Sequence, residues 1–139
     1  MIIKKLDDIF VIKIYKALLE DFNIFDIDSV KEFFRSIIKK LKTKYDLRGI
    51  VDVDVYVNDK YGMIIEMQEV SRHLEEIDLK IKMHLNSLFL VNINSDALLD
   101  YEEVYYYKGN FYGNYLKPVD EKIIYKDTED IIRKGIKIC

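Results

Sequence analysis

Apolar residues recur every third or fourth position over residues 29–45 and every second position in the segments that follow Gly49. A period near 3.6 marks a helix with one buried face, and a period of 2 marks a strand with one buried face. Over residues 29–45, Val30, Phe33, Phe34, Ile37, Ile38, Leu41 and Tyr45 follow helical spacing. Ser29 and Glu32 fit a capping box at the start of this helix, and "DLRG" ends it. In "GIVDVDVYV" the period becomes 2, with Val51, Val53, Val55 and Val57 on one face. "GMIIEMQEV" reads as the return strand. "DLKIKMHL" alternates again, with Leu79, Ile81, Met83 and Leu85 inward and Lys80, Lys82 and His84 outward. "SLFLVNIN" is a further strand, and "EEVYYYKGNFYGNYL" a hairpin turning at Gly109-Asn110. "DTEDIIRKG" predicts a short helix capped by Asp127 and stopped at Gly135.

Residues 8–21, "DIFVIKIYKALLED", fit two patterns. "IFVIKIY" is β-branched and apolar but alternates poorly. Lys13, Lys16 and Glu20 fall at i, i+3 and i+7, a single polar stripe on an apolar cylinder. That stripe favours a helix, with Asp7 or Asp8 as cap. The expectation is an α+β fold: an antiparallel β-meander of about five or six strands, packed on one face by N-terminal helices and closed by a short C-terminal helix. Residues 1–139 read as a single domain, since no linker or repeat divides them.

Composition adds bounds. Half of the residues are hydrophobic, enough for a core that needs no staples. The net charge of −3 supplies no general attraction to nucleic acid or anionic membrane. The single cysteine, Cys139, forms no intrachain disulfide, which suits a reducing cytoplasm. No window approaches the roughly 18 apolar residues of a membrane span, and "MIIKKLDDIF" lacks the apolar core of a signal peptide.

The paired strands raise the first question of chemistry. If the loop between them is odd in length, Val53 and Val55 share a face with Met63, Ile65 and Met67. Asp52, Asp54, Glu66 and Gln68 then share the other. An even loop would mix charge into the core at a cost of about 1.5–3 kcal/mol per exposed apolar side chain, so the odd loop is expected. Clustered carboxylates can hold a hard cation such as Mg²⁺, which polarises a phosphate and activates water. A helix, a strand with Asp54 and a strand with Glu66-x-Gln68 together resemble the restriction-endonuclease-like nuclease core. The resemblance implies metal-dependent phosphodiester cleavage, with Asp54 and Glu66 as metal ligands. Gln68 stands where that family places a lysine, and the next segment reads as a strand where it places a helix. The same residues also fit a solvated sheet face, with Lys80 and Lys82 as cross-strand partners for the acids.

Lys31, Arg35, Lys39 and Lys42 form a basic stripe along the helix, with Lys40, Lys44 and Arg48 toward its end. The stripe suits contact with phosphate or an acidic partner, or plain solvation of a helix whose last lysines complement its dipole. Tyr105, Tyr106, Tyr107, Phe111, Tyr112 and Tyr115 crowd one hairpin. Alternation forbids all of them from entering one core, and exposed tyrosines anchor partners well. His73, His84 and Cys139 have no zinc-site spacing, and no phosphate-binding glycine loop or nucleophile elbow occurs. No cofactor is expected.

These features predict a small cytoplasmic protein that acts without catalysis. It would bind a macromolecular partner or a second copy of itself, as a regulator or adaptor, with the wide apolar N-terminal segment and the tyrosine hairpin as the candidate surfaces. Metal-dependent phosphodiester hydrolysis by Asp54 and Glu66 is the alternative. Nucleic-acid binding through the basic stripe is a third reading, which the net charge does not support.

Overall fold

Where β-branched and aromatic residues dominate, the backbone is extended; where the apolar period is 3.6, it is helical. The computed structural model describes residues 2–19, 22–23, 25–59, 61–71, 77–93, 101, 103–114 and 123–138. The fold class is α+β, and the registered strand pairs are antiparallel. The chain forms two compact units, residues 1–55 with 62–84 and residues 56–61 with 85–139.

The first unit begins with β1 (Ile2–Leu6) and β2 (Ile9–Tyr15), a hairpin whose two-residue turn holds Asp7 at φ 54°. Residues 8–19 therefore do not form the helix expected over residues 8–21. After β2 comes a short 3-10 helix, Lys16–Leu19. The physical reason is burial on both faces: Phe10, Ile12 and Ile14 point one way and Val11 the other, and all four are buried. A strand covered on two sides shows no alternation, and the lysine spacing mimics a helical stripe. Asp7 and Asp8 make the turn rather than a cap.

Helix α1 (Ile27–Tyr45) starts earlier than the capping-box pattern implies. Asp26 is the N-cap, its Oδ1 accepting the Asp28 N–H at 3.0 Å. Ser29 Oγ instead accepts the Asn23 N–H at 3.1 Å. Asp46, at φ 56°, closes the helix, its N–H donating to the Lys42 carbonyl. Strands β3 (Gly49–Asn58), β4 (Gly62–Ser71) and β5 (Ile77–His84) complete a sheet of order β1-β2-β4-β3-β5. Three residues separate β3 from β4, so the loop is odd. One sheet face carries Phe10, Ile12 and Ile14, their partners Met67, Ile65 and Met63, and Val51, Val53 and Val55, all buried. Helix α1 buries Phe34, Ile37 and Leu41, and its Tyr45 ring lies 5.0 Å from Phe10. Each such side chain contributes about 1.5–3 kcal/mol, which is what holds the register.

The second unit holds β6 (Leu90–Ile93), β7 (Val104–Tyr107), β8 (Asn110–Asn114) and β9 (Ile136–Lys137), in the order β6-β8-β7-β9. Helix α2 (Thr128–Lys134) packs Ile131 and Ile132 with Leu90, Tyr105, Tyr107, Tyr112 and Ile124. Asp127 occupies the N-cap position but makes no side-chain cap hydrogen bond. Gly135 follows the helix with extended backbone, so it is not a left-handed stop. A Cβ there would lie 2.2 Å from the Ile131 carbonyl oxygen, so close backbone approach selects glycine.

Candidate functional site

Alternation along β3 and β4 sends Asp52, Asp54, Glu66 and Gln68 to the face opposite α1, where they are exposed or half-buried. That face is not uniformly wet, because Val11 and Ile64 are buried on it. Strand β5 lies beside β3, as cross-strand pairing requires. The partner of Asp54 is His84, whose Nε2 lies 3.0 Å from Asp54 Oδ1. Lys80 instead pairs with Asp78 of its own strand at 3.3 Å. A shallow depression of about 550 Å³ opens here, lined by Asp52, Asp54, Lys80, Lys82, Leu79 and Ile81. Among the described residues, no group of three or more His, Cys, Asp or Glu side chains could hold a metal ion. The pattern of β3 and β5 did not single out His84 beyond its outward direction. Its contact with Asp54 depends on the order of strands, which spacing alone does not specify.

The tyrosines divide by register. Tyr105 pairs with Tyr112, Tyr106 with Phe111 and Tyr107 with Asn110. The turn is Lys108-Gly109, one residue before the expected position, with φ of 48° and 84°. Two consecutive positive φ values match the twist of a tight hairpin, and the glycine takes the second without strain. Tyr105, Tyr107 and Tyr112 face α2 and join its core. The Tyr105 hydroxyl donates to Glu103 Oε2 at 3.0 Å. Burial pushes the Tyr105 phenol above its usual range, and the hydrogen bond to Glu103 and the charge of that carboxylate add to the rise. Tyr106 and Phe111 face the other way, ring centroids 5.2 Å apart. Tyr115, His73 and Cys139 lie outside the described residues.

On that outward face the pairings run Ile93, Phe111, Tyr106, Ile136 across β6, β8, β7 and β9. Exposure rises along the row: Ile93 is 7% exposed, Phe111 half-buried, Tyr106 38% and Ile136 65%. Ile138, whose N–H donates to the Val104 carbonyl at 2.8 Å, adds a further exposed apolar side chain. Ile136 and Ile138 were not singled out in the sequence. "GIKIC" carries little pattern, and only the pairing of β9 with β7 shows where it lies.

In the first unit, Lys31, Arg35, Lys39 and Lys42 are all exposed on α1. No helix among the described residues is long and apolar enough to cross a membrane. No known protein family, curated protein or solved structure matches this chain.

Proposed function

We propose that this protein acts without catalysis, by binding a protein partner through the outward face of its four-stranded sheet, with a second copy of the chain as the simplest partner. The row Ile93–Phe111–Tyr106–Ile136 carries the reading. Its inner end is buried and its outer end is open. Soluble proteins seldom leave a contiguous apolar surface uncovered without use. Tyrosine suits such a surface because its ring buries large area with few rotatable bonds while its hydroxyl stays wet. The edge strand β9 adds backbone groups that an extended partner segment could pair with. A regulatory or adaptor role in the cytoplasm fits the lone cysteine and the balanced charge.

The test is the double variant Tyr106→Ser with Ile136→Ser, examined by sedimentation velocity over a wide concentration range. Both side chains are exposed, so the circular dichroism spectrum should be unchanged. Association of the wild-type chain should weaken in the variant. Equal association of the two folded proteins would remove this surface from consideration.

A further inference from the structure

The exposed side of α1 is basic in a way that helix stability does not account for. From Phe33 to Tyr45 the sequence holds Arg35, Lys39, Lys40, Lys42 and Lys44 and no acid. Lys31, Arg35 and Lys39 stand at successive i, i+4 positions, where like charges work against an isolated helix. Cations in the last turn complement the dipole, which accounts for Lys42 and Lys44. Asp28 and Glu32 stand three residues before Lys31 and Arg35, but no ion pair joins them among the described residues. Several cations elsewhere are paired: Arg48 with Asp46, Lys80 with Asp78, Arg133 and Lys134 with Asp130, and Lys137 with Glu103. Among the described residues, no ion pair engages Lys31, Arg35, Lys39 or Lys42.

We infer that this stripe binds the phosphate backbone of single-stranded nucleic acid. Steps of four residues set neighbouring cations about 6 Å apart along the helix axis, a linear array suited to one strand of phosphates. The opposite side of α1 is committed to the core through Phe34, Ile37 and Leu41, so the helix offers only its outward stripe. A bilayer surface is the less suitable polyanion. Interfacial helices bury a long apolar face, whereas the exposed residues of α1 are all charged or hydroxyl-bearing except Ile27 at its first position. The contact is local, because the whole chain carries a net charge of −3. It reads backbone rather than sequence.

Fluorescence anisotropy with a labelled, mixed-sequence single-stranded DNA of about twenty nucleotides tests this. Four phosphate contacts give a slope of log affinity against log salt near −2.8, or about a fiftyfold loss between about 50 and 200 mM salt. Each of Lys31→Gln, Arg35→Gln, Lys39→Gln and Lys42→Gln should reduce the slope by about 0.7. The triple variant Lys31→Arg, Lys39→Arg, Lys42→Arg should bind like the wild type. Circular dichroism confirms that each variant keeps its helix. Absence of binding at low salt, or single variants with an unaltered slope, would overturn the inference. So would tighter binding to phosphatidylserine vesicles, to polyglutamate or to the corresponding duplex than to the single strand.

Discussion

His84 Nε2 lies 3.0 Å from Asp54 Oδ1, tying the edge strand β5 to β3 across thirty residues of sequence. The two side chains remain 30% and 41% exposed. Solvent therefore screens the pair, and its coupling is expected to be about 0.2–1 kcal/mol. A double-mutant cycle of Asp54→Asn and His84→Gln, followed by urea denaturation, measures it. A coupling of several kcal/mol would mean a desolvated dyad and would favour a catalytic reading of this face.

The register of β4 makes a sharp contrast between near neighbours. Ile65 is fully buried opposite Ile12, while Gln68 is exposed opposite Ile9. Ile65→Ala should cost about 2–5 kcal/mol, since it loses buried methylenes and leaves a cavity. Gln68→Ala should change stability by no more than about 0.5 kcal/mol. Chemical denaturation of both variants checks the assignment. Similar losses would place the strand one residue out of register.

What could be read from the sequence depended on how many faces each element buries. The valines of β3 alternate with acids because only one of its faces is fully apolar, so their burial and the odd loop were legible. Strand β2 buries Val11 as well as Phe10 and Ile12, which erases the alternation and left the lysine spacing to suggest a helix. The candidate sites were less legible, because they depend on neighbours. Alternation separates Tyr106 from Tyr105 and Tyr107, but only the position of α2 decides which set is buried. The Asp54–His84 contact and the Tyr106–Ile136 pairing likewise require the strand order.

Two glycines with positive φ should respond oppositely to substitution. At Gly62, φ is 128°, and an added Cβ would lie 2.2 Å from the Ile14 carbonyl oxygen and 2.7 Å from the Lys16 nitrogen. Both obstacles are backbone, so Gly62→Ala should cost more than the roughly 1–3 kcal/mol of an unfavourable φ/ψ region alone. At Gly109, φ is 84° and nothing lies within 4 Å of the added atom. Gly109→Asn should cost less than about 1 kcal/mol, because asparagine is tolerated in the left-handed region of hairpin turns. Thermal melts of the two variants decide. A stable Gly62→Ala would show that β2 and β4 do not approach as closely as described.

The Tyr105 hydroxyl, hydrogen-bonded to Glu103 at 3.0 Å, links alkaline stability to the second unit. Its pKa in the folded protein is raised, first by burial and then by the Glu103 hydrogen bond and charge. The unfolded value is about 10. The folded state therefore holds this proton more tightly than the unfolded state. The stabilisation is complete below about pH 10 and is lost as pH rises through the raised folded value. Near neutral pH, Tyr105→Phe should lose about 0.5–1.5 kcal/mol, the net worth of a typical hydrogen bond. Above about pH 10 the wild type should lose stability faster than the variant, because only the wild type must keep a phenol protonated beside a carboxylate. Urea denaturation of both proteins across this range isolates the contribution of Tyr105, since the two chains differ only there. A constant difference between wild type and variant through the alkaline limb would mean that Tyr105 ionises as easily in the folded protein as in the unfolded chain.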